Sequence, residues 1–317
     1  MNQTPNNLRR WLLPLLKLAI VGLLAWFMSD TIRQGLEQIE REKVTLDAGW
    51  LVASGVLYLL GQLPSGLYWH RVLNRLGQAA RLGETLCAYY IGHLGKYVPG
   101  KALVIILRTG LIRSERVDTA VAAVSVFVET LTLMAVGAAL SAAIIAVEFR
   151  ENWKLLAVSV GLLFAAGVPT LPPIFRRVIR LFRVGRANPR VLPLLDRLDY
   201  GTLALGWVEI TVGWIVMGVS LWATLRGMGV ELELLPNLPL LIAAVALAIV
   251  AGFASLIPGG AVVRELVLTE LLTQLPGVSK GQALLSAVVL RLVTLVAEAG
   301  ISAILWFMAS SPKETSK

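Results

Sequence analysis

Eight ionisable side chains stand in or beside apolar stretches of this chain. Lys96, Lys101, Arg264 and Arg291 are cationic; Glu129, Glu209, Glu265 and Glu298 are acidic. A lone charge at the middle of a bilayer costs at least about 3 kcal/mol on insertion scales, so such groups pair with one another or line a cavity. Equal numbers of each sign suggest pairing, and Arg291 stands two helical turns before Glu298 on the same face. Lys101 and Arg264 differ from the rest because each follows a Pro-Gly step. One step is Val98-Pro99-Gly100-Lys101, the other Ile257-Pro258-Gly259-Gly260. Proline removes a backbone donor and clashes with the preceding turn, and glycine lets the chain leave helical geometry. A helix restarting after Gly100 or Gly260 offers free N–H groups and the positive end of its dipole, which favours an anion. A cation added there is unfavourable unless an anion or a carboxylate lies nearby. Lys101 and Arg264 are therefore the expected phosphate contacts, with Lys96, Pro99, Gly100, Pro258, Gly259 and Gly260 around them. Glu129, Glu209 and Glu298 are counter-ions or proton carriers, and their residue type does not choose between the two. The plainer alternative is that the steps kink ordinary spans and the charges form structural pairs.

The elements that must position these residues are transmembrane. Of 317 residues, 56% are hydrophobic and 15% charged, with a mean hydropathy of +0.74, too little charge to cover a water-soluble domain of this size. Apolar runs of about 20 residues, long enough to cross a hydrocarbon core about 30 Å thick, recur from end to end. Full spans are read at Trp11–Met28, Trp50–Trp69, Ala120–Val147, Trp153–Pro172, Leu203–Leu225 and Ala283–Ala309. Several begin or end on tryptophan, as interfacial belts do: Trp11, Trp26, Trp50, Trp69, Trp153, Trp207, Trp222 and Trp306. Trp11–Met28 is longer than a signal-peptide core and no small-residue cleavage site follows it, so it is read as a retained span.

Two further segments, Thr85–Arg108 and Leu240–Leu272, carry the Pro-Gly breaks. Basic residues decide how they sit. The loop Phe175–Tyr200 carries seven arginines and is expected in the cytoplasm. Working outward from it, Arg71, Arg75 and Arg81 stay inside only if the first broken segment enters and leaves on one side. The expected fold is thus all-α integral membrane: about six full transmembrane helices plus two re-entrant segments, with both termini cytoplasmic, in the cell (inner) membrane. Each half reads as span, connector, span, broken segment, span, so residues 1–147 and 148–317 are expected to form an inverted repeat within one membrane domain. That plan places a transporter's site near the midplane.

The remaining composition narrows the chemistry. The formal charge of +9 sits in short loops rather than on a nucleic-acid-binding face. Cys87 is the only cysteine, and His70 and His93 are the only histidines, so no metal site and no cofactor are expected. Ser255 near the second break has no nucleophile's constellation around it, and no catalytic role or ATPase motif is read. Between Ile174 and Arg190, apolar Phe175, Val178, Ile179 and Phe182 oppose Arg176, Arg180 and Arg183. This suits a helix lying on anionic inner-leaflet lipids along Arg176–Arg190, or a solvated topogenic loop. Arg108 is expected either to snorkel to the cytoplasmic surface or to join the site.

At its two breaks the chain resembles the flippase-like transmembrane family named after lysylphosphatidylglycerol synthase. Leu94-Gly95-Lys96-Tyr97-Val98-Pro99-Gly100-Lys101, ending at Arg108, is similar to the family's first signature. Pro258-Gly259-Gly260-Ala261-Val262-Val263-Arg264-Glu265 is similar to its second, and Ser286–Arg291 to the arginine-bearing motif that follows. Leu103-Val104-Ile105-Ile106 stand where many members have a glycine and an acidic residue, a departure that bears on substrate more than on fold. The soluble aminoacyl-transferase domain of the synthases is missing, so lipid synthesis is not implied. The resemblance implies movement of a polar-headed lipid between leaflets, with Lys101, Arg108, Arg264, Glu265 and Arg291 as binding candidates. Expected cargo is a membrane phospholipid or a polyprenyl-phosphate lipid. The alternatives are a secondary transporter of a small soluble anion, or a non-transporting partner of a lipid or glycan synthase. A homo-oligomer is compatible with the small residues Gly137, Gly213, Gly218 and Gly300 in the spans.

Overall fold

The computed structural model describes residues 33, 37, 45–98, 102–148, 153–181 and 191–310. The expected span Trp11–Met28 lies outside the described residues, as do Pro99, Gly100 and Lys101. The described chain is helical throughout: α1 (Ala48–Arg75), α2 (Leu82–His93), a 3-10 turn (Leu94–Tyr97), α3 (Ala102–Ile112), α4 (Thr119–Glu148), α5 (Trp153–Thr170), α6 (Pro172–Leu181), α7 (Val191–Leu195), α8 (Tyr200–Gly227), α9 (Leu234–Ala254), a second 3-10 turn (Pro258–Gly260), α10 (Val263–Leu272) and α11 (Lys280–Ser310). Six of these helices, α1, α4, α5, α8, α9 and α11, are long and apolar enough to cross a membrane. The protein is a multi-pass membrane protein. Helix α9 was expected as one limb of a broken segment; at 21 residues it qualifies as a span by its own length.

Helices α1 and α8 form the central pair. Their contacts run in opposite order along the two chains. Ser54 meets Ser220, Gly61 meets Gly213, and Tyr68 packs on Gly206, so the helices are antiparallel. The glycines let the backbones touch: a Cβ on Gly213 would lie 2.6 Å from the Gly61 carbonyl oxygen. Ser54 and Ser220 exchange hydrogen bonds, each hydroxyl donating to the other's backbone carbonyl at 2.8 Å. Such bonds satisfy polar groups that lipid cannot. Asp47 and Asp199 cap the starts of α1 and α8. The Thr202 hydroxyl and amide donating to Asp199 hold its carboxyl below the usual carboxylate range.

The tryptophans divide. Trp153 and Trp306 are exposed, and Trp50 meets Trp222 edge to face where α1 starts and α8 ends. Trp69, expected at an interface, is instead wholly buried, its indole N–H donating to Ser125 Oγ at 2.8 Å. In α6 the expected lipid-facing Phe175 packs into the core beside Val191 and Leu195. Arg176 turns inward and donates to the carbonyls of Leu195, Asp196 and Leu198, while Arg177 and Arg180 stay exposed. The free carbonyls at the end of α7 draw the guanidinium inward because they lack helical partners.

Gly213→Ala is expected to force the α1–α8 backbones apart and lower the melting temperature in detergent, at about 1–3 kcal/mol for overpacking. Gly300→Ala, with open space where its Cβ would sit, should melt like the wild type.

Candidate functional site

Both broken segments fold back on themselves. After the first break, Gly92 faces Arg108 and Gly95 faces Leu103 and Val104, so α3 returns alongside α2. A Cβ on Gly95 would stand 2.6 Å from the Val104 amide nitrogen. After the second break, Gly252 of α9 faces Gly260 and Arg264, and α10 returns alongside α9. Gly259 and Gly260 take φ of 60° and 68°, the left-handed region open to glycine, and make this turn. Val262, β-branched, is also held there at φ 68°, a strained geometry of the kind found at ligand sites. The two 3-10 turns touch, with Gly259 against the Tyr97 ring. The breaks therefore meet although half the chain separates them.

Four ion pairs surround this meeting point or brace the helices near it. Glu298 of α11 is the centre of the densest cluster. It accepts from Lys96 Nζ, from the Tyr58 hydroxyl and, at 2.9 Å, from the Tyr97 hydroxyl. Gln62 donates to the Tyr58 oxygen at 2.8 Å and accepts from Tyr89 at 3.0 Å. Arg108 donates to Glu129 at 2.6 Å, and its guanidinium lies 4.1 Å from the centre of the Tyr89 ring. Only 2% of Arg108 is exposed, so it does not snorkel. His93 bridges the two pairs, with Nδ1 3.4 Å from Arg108 and Nε2 3.6 Å from Glu298. Arg291 donates to Glu265 at 2.7 Å, tying α11 to α10. Arg71 pairs with Glu209 between α1 and α8.

These partners correct one expectation. Arg291 and Glu298 do not pair: residues seven apart on one helix are separated by about 10 Å along its axis, and each takes a partner from a broken segment instead. Glu209 is a counter-ion to Arg71 and lies outside the cavity described next. Ser255, the weak nucleophile candidate, closes the end of α9, donating to the Gly252 carbonyl at 2.8 Å.

A cavity of about 510 Å³ opens between the breaks. Its polar lining is Tyr58, Gln62, His93, Lys96, Arg108, Glu129, Thr130 and Arg264, and Gly259 and Gly260 also line it. Among these cations, Lys96 and Arg108 are neutralised by Glu298 and Glu129. Arg264 is not. It is about nine-tenths buried, and among the described residues no carboxylate pairs with it and no hydrogen bond holds it. Gly252 and Gly260 make room for its stem: a Cβ on either would lie within 3 Å of an Arg264 side-chain carbon. Arg264 also stands in the first turn of α10, whose N-terminus carries no side-chain cap. One unneutralised guanidinium, beside uncapped N–H groups and facing a cavity, is suited to an anion.

Residues 15–300 match the family described as Lysylphosphatidylglycerol synthase TM region. The chain belongs to that family. No curated protein matches the chain. The family's membrane region is not the catalytic transferase domain, and the signatures that carry the resemblance supply Lys96, Tyr97, Arg108, Arg264, Glu265 and Arg291 to the two breaks. Among the described residues no cluster of His, Cys, Asp or Glu could hold a metal ion. Tyr58, Gln62 and Tyr89 escaped the sequence reading because a tyrosine or glutamine inside an apolar run has no charge to flag it. The i, i+4 spacing of Tyr58 and Gln62 on one face of α1 was the available signal.

The difference between paired and unpaired cations can be read in stability. Glu129→Ala leaves Arg108 buried and alone and is expected to cost about 3–5 kcal/mol, seen as early melting in detergent. Arg264→Gln breaks no ion pair, and its melting temperature should equal or exceed that of the wild type.

Proposed function

We propose that the protein moves an anionic, phosphate-headed lipid between leaflets, as a flippase or scramblase. The observation that carries this reading is Arg264: a buried cation that faces the cavity and has no carboxylate partner among the described residues, beside an uncapped helix start. A guanidinium facing a largely apolar cavity lacks a counter-charge, and a phosphate oxygen arriving there supplies one. Lys96–Glu298 and Arg108–Glu129 also line the cavity as paired charges, which leaves Arg264 as the unpaired cation among its described lining residues. Lys101, adjacent to the first break in sequence, is the second proposed phosphate contact. Glu265 and Arg291 hold α10 in place through their pair, so their part is positioning.

The reciprocal Ser54–Ser220 bonds and the mutual Gly61–Gly213 contact support an inverted repeat about an axis between α1 and α8. The reversal of the chain at both breaks supports it too. In this arrangement the two halves rock about the fixed site to alternate its access. The exposed Arg177 and Arg180 of α6 are proposed to rest on anionic inner-leaflet lipids.

Leaflet exchange of fluorescent phosphatidylglycerol and phosphatidylcholine in proteoliposomes tests the proposal. Exchange is expected to be faster for the anionic lipid, and to fall about tenfold or more in Lys101→Ala and Arg264→Ala, the loss of roughly 1.4 kcal/mol or more. Unchanged exchange in both variants removes the phosphate site. Uptake of free phosphate without lipid exchange makes the protein a small-anion transporter instead.

A further inference from the structure

The cavity is far larger than its polar lining needs. A phosphate and a few waters, each taking about 30 Å³, fill only a fraction of about 510 Å³. Most of the lining is apolar and includes Val104, Phe127, Met134, Ile249, Phe253 and Leu256. A polar headgroup pushed against such a wall loses its hydration without gaining partners. A hydrocarbon chain loses nothing, because it leaves one apolar medium for another and keeps its dispersion contacts. Apolar cavities that stay dry accept apolar ligands for the same reason. Phe127 of α4 and Leu256 of the turn after α9 line the cavity and remain 46% and 67% exposed, which leaves room for a chain beside them.

We infer that the cavity takes the lipid with part of its chain inside: the phosphate at Arg264, the first methylene or isoprene units along Met134, Ile249 and Phe253, and the remainder leaving past Phe127 and Leu256 into the bilayer. This rests on the phosphate reading of Arg264 and deepens it. The substrate class becomes a phosphate lipid recognised by the chain next to its phosphate as well as by its charge, rather than a headgroup that crosses with its tails wholly outside.

Photolabelling tests this in the intact protein. The probe is a long-chain alkyl phosphate with a diazirine a few carbons from the phosphate, incorporated with the protein into phosphatidylcholine vesicles. Adducts are then mapped by mass spectrometry. Adducts concentrated on Met134, Ile249 and Phe253, and reduced severalfold in Arg264→Gln, are the expected result. Adducts confined in the wild type to lipid-facing residues remote from the cavity, such as Phe164, Val208 and Phe307, overturn the inference. Cavity adducts unchanged in Arg264→Gln uphold the chain position and overturn Arg264 as the anchor, so the two readings fail separately. As a second variant, Ile249→Phe fills part of the wall. It should lower labelling at Met134 and Phe253 while leaving adducts on Phe307 unchanged.

Discussion

Hydrocarbon will not hold an ionised group alone, and the interior of this protein is arranged around that constraint. Lys96 finds Glu298, Arg108 finds Glu129 and Arg291 finds Glu265. Each pair links elements that only the tertiary fold brings together, so the pairs also fix where the broken segments sit against the long helices. Glu298 accepts hydrogen bonds from one lysine and two tyrosines. With so much of the charge already neutralised inside the protein, the exception is informative. Among the described cations that line the cavity, Arg264 is the one without a carboxylate partner.

Close backbone approach is the second requirement, and glycine supplies it at each point where the site would otherwise be blocked. Gly95 lets α3 lie against the turn that precedes it, and Gly252 and Gly260 let the Arg264 stem pass between α9 and α10. A side chain at any of these positions would push apart the limbs that carry the charges. The site's electrostatics therefore depend on sterics several residues away from any charge. Strain at Val262, in the same short turn, is consistent with a backbone held by its surroundings rather than by its own preference.

The cavity combines two solvents. Its polar lining offers an anion what water would offer, and its apolar lining is indistinguishable to a chain from the bilayer outside. The proposed lipid ligand has both characters, with Phe127 and Leu256 as its proposed sideways route.

Much of this was legible in the sequence because membranes restrict the choices. Long apolar runs must be helices, and five of the six spans read from them stand within the described helices. A Pro-Gly step disfavours a continuous helix, and α2 and α3 flank the first step as α9 and α10 flank the second. Charges in apolar runs flagged Lys96, Arg264, Glu265, Arg291, Glu129 and Glu298, and the family resemblance added Arg108. Periodicity, however, reports only what lies within a few turns. It suggested Arg291 beside Glu298, whereas Glu298 meets a lysine 202 residues away. It placed Trp69 at an interface and Phe175 in lipid, where packing buries both. Which cation keeps a carboxylate and which is left open depends on distances between segments remote in sequence. That was decided by tertiary packing, because pairing is a property of two groups meeting and local sequence describes only one of them.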